Sequence, residues 1–158
     1  MTDTFLLNDF YTIETSNKAD DSTIAATIKL NANHDIFKGH FEQMPVMPGV
    51  CQTQLIKELL QQELGKNLIL TVGSNIKFTG MIIPTQHPAF NVEIKYTTTE
   101  NQCVVDAQLF FENTIFTKFK GTFTTHTHTK IRHRDKCIVT CISSLTANHM
   151  VNLMLNHR

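Results

Sequence analysis

GHFEQMPVMPGV, Gly39 to Val50, runs straight into CQTQLIKELLQQELG, Cys51 to Gly65, and the join between the two stretches decides the fold. Pro45 and Pro48 stiffen the backbone on the way in, and Gly49 opens the helical stretch. Beyond it, apolar residues recur at Cys51, Leu55 and Leu59 and again at Ile56, Leu60 and Leu64. Both series keep the i, i+4 spacing of one helix face. The pattern predicts a single helix over 49–64, stopped by Gly65. His40 precedes it, and its imidazole has the one ordinary pKa close to neutrality, so a candidate base stands beside a helix N-terminus.

Outward from the helix the period changes to two. NDFYTIET (8–15) and STIAATIKLNA (22–32) read as strands joined by the polar run SNKADD, Ser16 to Asp21, in a long antiparallel hairpin. After the helix come LILTVGSNIKF (68–78), AFNVEIKYTT (89–98), QCVVDAQLFFE (102–112) and TIFTKFKGTFT (114–124). Phe90, Val92, Ile94 and Tyr96 alternate strictly, as do Val105, Ala107, Leu109 and Phe111, which predicts strands with one buried face. Short turns at 99–101 and at Asn113 make the last three strands a meander, and Gly73 suggests a bulge in the first strand after the helix. The order of hairpin, one apolar helix and four strands implies an α+β fold in which a curved antiparallel sheet wraps the helix.

Composition narrows the function. The chain of 158 residues suits one domain, with a formal net charge of zero and 11 Phe carrying most of the aromatic bulk. A balanced charge argues against a nucleic-acid partner, since a phosphate backbone calls for a basic surface. No basic segment followed by an apolar run opens the sequence, and no stretch approaches the ~18 apolar residues of a membrane span, so the expectation is a cytoplasmic protein with no membrane contact. Cys51, Cys103, Cys137 and Cys141 are then expected as free thiols, the first two buried.

The balance shifts near His126. Residues 126–158 hold five basic residues, the single acid Asp135, and five of the eight histidines. A boundary is placed there, giving a folded domain over 1–125 and a basic, His-rich tail over 126–158 that is either disordered or weakly helical around Ser143 to Leu155. His126, His128, Cys137 and Cys141 do not have the spacing of a structural zinc site, and no metal is expected.

IKLNANHDIFKGHFEQMPVMPGV (28–50) resembles the active-site region of the FabZ/FabA-type 3-hydroxyacyl-acyl-carrier-protein dehydratases, which have the hotdog fold. FLLNDFYTIE at 5–14, with Lys29 and Asn33 on the second strand, and NIKFTGMIIP at 75–84 extend the likeness over about residues 5 to 124. The resemblance implies that His40 removes the α-proton of an acyl thioester. It further implies that the Gly49 N–H polarises the thioester carbonyl, that the Val46 carbonyl orients the imidazole, and that Phe41, Val46 and Pro48 line the substrate. A helix N-terminus suits that role, because its unpaired N–H groups and positive dipole end favour a developing enolate oxygen. The implied substrate rides on the phosphopantetheine of an acyl carrier protein, with no metal or redox cofactor. The implied assembly is a homodimer, or a heterodimer with another hotdog protein. Lys38, Lys57 and Lys66 are candidate contacts for an acidic carrier.

The family's acid stands fourteen positions after the histidine, on the helix, and serves the partner's site; here that position is Gln54. An amide can hold a hydroxyl or a water but cannot deliver a proton, and general acid catalysis contributes roughly 10²–10⁴ in rate. Glu58, one turn further and about 6 Å along the axis, is the candidate displaced acid. The plainer expectation makes Gln54 a surface-facing residue and Glu58 a solvated one. Glu42, in place of the family's proline, and Thr85 and Gln86, in place of Gly-Asp, are further departures at the rim of the acyl tunnel. Three functions remain in view: the dehydratase, a catalytically impaired hotdog protein that binds acyl-carrier cargo or completes a heterodimer, and a thioesterase.

Overall fold

The computed structural model describes residues 4–38 and 44–126, so His40, Phe41, Glu42 and the tail from residue 127 lie outside the described residues. Strands β1 (Tyr11–Asp20) and β2 (Thr23–Leu30) form the first hairpin, and a 3₁₀ turn over Asp35–Phe37 follows. Helix α1 covers Gly49–Leu64, and β3 (Leu68–Phe78), β4 (Ala89–Thr98), β5 (Gln102–Phe111) and β6 (Thr114–Thr125) complete the fold. The strands make one antiparallel sheet in the order β1-β2-β4-β5-β6-β3. This is the hotdog arrangement, with the helix held in the curve of the sheet.

The helix ends where the periodicity ends. Gly65 takes a left-handed conformation with φ 62°, which a glycine adopts without the steric penalty of a Cβ. Leu55, Ile56 and Leu60 are fully buried from α1, and they meet an inner sheet face built from Phe90, Val92, Ile94, Val105, Leu109, Phe119 and Phe123. Each such side chain contributes about 1.5–3 kcal/mol on burial, so this interface, rather than helix propensity, fixes α1 in place. Cys51 and Cys103 are free and buried, as their apolar settings imply.

The first hairpin differs from the expectation. β1 starts at Tyr11 rather than at residue 8 and continues through Ser16–Asp20, leaving a two-residue turn at Asp21 and Ser22. The outer half of β1 is exposed on both faces, so its residues show no apolar alternation although they pair with β2 throughout. Asp20 secures the turn: its carboxylate accepts from the Ser22 N–H at 2.8 Å and from the Ser22 and Thr23 hydroxyls. Those hydrogen bonds hold the Asp20 carboxyl below its ordinary pKa. Asn8, with φ 67°, belongs to the tight turn that precedes the strand. Near Gly73, β3 slips register against β6 between Gly73 and Asn75, which is the bulge the glycine suggested.

Candidate functional site

The approach to α1 is built from residues that sequence reasoning singled out and from one that it missed. Val46, Met47, Pro48 and Gly49 are all buried. The Met47 N–H donates to the Ile82 carbonyl at 2.8 Å, fastening this segment to the stretch that follows β3. Gln52 fastens it a second time, its Nε2 donating to the Met47 carbonyl at 3.2 Å while its Oε1 accepts from the Thr117 hydroxyl of β6. Gln52 is 1% exposed, and its only trace in the sequence is a polar residue on an otherwise apolar turn. Pro48 is the N-cap, with φ −62° and ψ 144°, and it supplies no side-chain cap. Among the described residues no acceptor meets the N–H groups of Gly49, Val50 or Cys51. The helix therefore presents free donors and its positive dipole end at this point. A Cβ on Gly49 would stand 2.6 Å from Cζ of Phe78, so only glycine lets the last residue of β3 lie across the helix start.

One turn further, α1 buries a polar pair. Gln54 is 5% exposed and Glu58 is 0% exposed, which corrects the reading of both as solvent-facing. Glu58 is buried because the N-terminal segment folds over it. Its Oε1 accepts from the N–H groups of Phe5 at 2.7 Å and Leu6 at 3.0 Å, and its Oε2 accepts from the Leu7 N–H at 3.0 Å and the Tyr11 hydroxyl at 2.9 Å. Gln54 completes the set, its Nε2 donating to Glu58 Oε1 at 3.0 Å. Five donors thus converge on one carboxylate, which satisfies a charge that burial would otherwise penalise heavily. Burial, with the Glu58 charge adding to it, raises the Tyr11 hydroxyl well above the ordinary phenol range and pushes the Cys51 thiol up to about 12.

His34 and His87 have local partners. His34 Nδ1 accepts from the Ile36 N–H, and its Nε2 lies 3.2 Å from an Asp9 carboxylate oxygen. His87 Nδ1 accepts from the Ile83 N–H, and its ring meets Phe116 and Phe111 edge-on at 4.7 and 5.5 Å. Thr85 and Gln86 are exposed in the turn between them. No group of three or more His, Cys, Asp or Glu side chains that could hold a metal occurs among the described residues. On the outer face of the sheet a groove of about 510 Å³ is lined by residues that include Lys95, Asp106 and Lys120, away from the helix start.

The strand order and the single enclosed helix define a hotdog-fold protein. The ApeI dehydratase family model matches residues 15–117, and the chain belongs to this ApeI-like family. It is 35% identical over 74 residues to the 3-hydroxyacyl-[acyl-carrier-protein] dehydratase FabZ of Streptococcus equi subsp. zooepidemicus, covering 42% of this chain and 53% of the relative. The FabZ of Clostridium acetobutylicum is 33% identical over 69 residues, 39% of this chain and 49% of that one. The chain thus spans about half the length of the curated relatives it matches. Among solved structures, the dehydratase heterocomplex ApeI:P from Xenorhabdus doucetiae aligns with TM-score 0.58 and 17% identity over 71% of this chain and 96% of that one. A hypothetical thioesterase with coenzyme A from Streptococcus pneumoniae aligns with TM-score 0.53 and 15% identity over 76% and 88%. At these identities the structural likeness establishes the hotdog fold.

Proposed function

We propose that the protein dehydrates 3-hydroxyacyl thioesters to trans-2-enoyl thioesters, on a substrate delivered by the phosphopantetheine of an acyl carrier protein. The observation that carries this reading is the uncapped start of α1, where the Gly49 N–H is free to receive a thioester oxygen. His40 removes the α-proton, and Gln54 holds the 3-hydroxyl or a water beside it. Phe41, Val46 and Pro48 line the acyl chain. No metal or redox cofactor enters the scheme: the base takes the α-proton, the Gly49 N–H holds the enolate oxygen, and the C–O bond breaks as the leaving hydroxide takes a proton from a water that Gln54 holds or from a second chain. The test is turnover of a 3-hydroxyacyl carrier protein by the purified chain, beside His40→Ala. Enoyl product that disappears with His40→Ala supports the reading, and free acid as product replaces it with a thioesterase.

A specific observation favours the impaired-partner reading. Both oxygens of Glu58 are engaged by the N-terminal segment, Tyr11 and Gln54, so the candidate displaced acid has no oxygen left over for a substrate. In that reading the chain pairs with a second hotdog protein that brings the carboxylate. The edge strand β3 suits such pairing, because Val72, Phe78 and Met81 on and beside it are 53%, 40% and 48% exposed. The structural relative from Xenorhabdus doucetiae is itself described as a heterocomplex. The mass of the complex isolated from its natural source separates a homodimer from a heterodimer. Among the described residues no helix is long and apolar enough to cross a membrane.

A further inference from the structure

We infer that Glu58 is a positioning residue that fixes the amide of Gln54 with its Nε2 turned inward and its Oε1 presented as an acceptor to the ligand hydroxyl; this rests on the thioester site proposed above. A side-chain amide has one donating and one accepting end, and the surrounding bonds decide which way it faces. Here the neighbour decides. Glu58 Oε1 lies 3.0 Å from Gln54 Nε2 and already accepts from the Phe5 and Leu6 N–H groups. A flipped Gln54 would set its own oxygen against that of Glu58, two acceptors with no proton between them. The Glu58 carboxylate cannot turn away in response, because Leu7 and Tyr11 hold its other oxygen. The Gln54 Oε1 has no partner among the described residues although the side chain is 5% exposed, a buried acceptor that a ligand hydroxyl would satisfy.

The consequence is a preference for ligands that carry a hydroxyl donor at the third carbon. One hydrogen bond of ordinary strength corresponds to roughly 2- to 12-fold in affinity. The experiment measures binding of 3-hydroxyoctanoyl-pantetheine and octanoyl-pantetheine to the full chain carrying His40→Ala, which keeps the hydroxy ligand from being consumed. The expected result is tighter binding of the hydroxy ligand by about that factor, lost on adding Glu58→Leu or Gln54→Met, with octanoyl-pantetheine affinity held within about 2-fold. Equal losses for both ligands in Glu58→Leu would mark a structural role and overturn the inference, as would a preference that survives either substitution. Equal binding of the two ligands before either substitution overturns the inference alone, whereas no binding of either overturns the proposed site with it. A second measurement needs no variant of Glu58. In the ¹⁵N spectrum of the intact chain, the Gln54 side-chain amide, assigned by its loss in Gln54→Met, is expected to show one shifted, slowly exchanging hydrogen. Two ordinary, rapidly exchanging hydrogens would overturn the inference.

Discussion

Replacing Glu58 by glutamine changes one atom type and tests the largest buried polar arrangement in the described fold. The new amide keeps one oxygen, which still serves the Phe5 and Leu6 N–H groups and Gln54. Its NH₂ takes the place of Oε2 and faces the Leu7 N–H and the Tyr11 hydroxyl. Tyr11 can rotate its proton and accept, but the Leu7 N–H meets a second donor and is stranded, at about 1–3 kcal/mol. The three bonds that remain lose charge assistance, about 1 kcal/mol each at most, since bonds to charged groups contribute ~1.5–3 and neutral ones ~0.5–1.5 kcal/mol. These losses are not additive, and about 3–5 kcal/mol is the expected total, the range found on breaking buried charge arrangements. A domain with ordinary stability of roughly 5–15 kcal/mol survives that loss, with Tm lower by about 10–20 °C. Urea unfolding of the intact chain, Glu58→Gln, Tyr11→Phe and the double variant supplies the numbers. Tyr11→Phe should cost about 1–2 kcal/mol and couple to Glu58→Gln rather than add to it. Glu58→Leu should be worse than Glu58→Gln, because it strands backbone donors that no side-chain substitution can remove. A Glu58→Gln loss below about 1 kcal/mol, with Tyr11→Phe strictly additive, would refute the convergence of five donors on this carboxylate.

Gly49→Ala places a Cβ 2.6 Å from the Phe78 ring, so the ring must swing away at a cost of about 1–3 kcal/mol, measurable by urea unfolding. Its effect on turnover should exceed its effect on stability, because the methyl stands at the proposed thioester oxygen site. Burial raises the folded-state thiols, Cys51 to about 12 and Cys103 to about 11, from the ordinary thiol value of 9.0. Between pH 9 and those values the unfolded chain loses protons that the folded chain retains, so stability should fall as pH rises through that window. Denaturant midpoints measured from pH 8 upward check it, and Cys51→Ala should flatten the decline. Gln54→Glu sets a second carboxylate about 3 Å from the first, and the two should share a proton, with one of the apparent pKa values of the pair strongly raised. Turnover by this variant should exceed that of the parent chain and decline as pH rises; a rate unchanged at every pH would count against position 54 facing the substrate.

How much of this was readable in the sequence depends on where each residue finds its partner. The bounds of α1 and β4 follow from periodicity, because each element buries a face against its neighbours and the pattern records that burial residue by residue. The outer half of β1 leaves no such record, since both of its faces are wet and only ladder hydrogen bonds hold it. Periodicity therefore stops β1 short and sets its turn too early. Glu58 was illegible for a different reason. A charged residue on a helix is ordinarily solvated, and the donors that reverse this lie more than fifty residues upstream, in a segment whose own pattern gives no sign of docking. Gln52 and Gln54 share that difficulty, because an amide looks alike in sequence whether it faces water or ties a loop.

The resemblance places an acid at position 54, and the structure shows what moving the charge by one helical turn accomplishes. The helix retains a carboxylate and an amide in contact at 3.0 Å, but the carboxylate is the inner member and the amide the outer one. In the inner position the charge gathers the backbone of Phe5, Leu6 and Leu7, so that the N-terminal segment and α1 are fixed to each other by one side chain. In the outer position the amide offers an acceptor and no transferable proton. Under the proposed function such an arrangement would hold a hydroxyl more readily than expel it, and any proton for the departing hydroxide would come from a water or from a second chain. A carboxyl group restored at position 54 would lie within reach of Glu58, whose charge disfavours a second one there and so favours the protonated form that a general acid requires. Under the proposed function, binding and proton delivery would therefore be separable on this helix: the first would depend on which way Gln54 faces, the second on whether a second carboxylate joins Glu58.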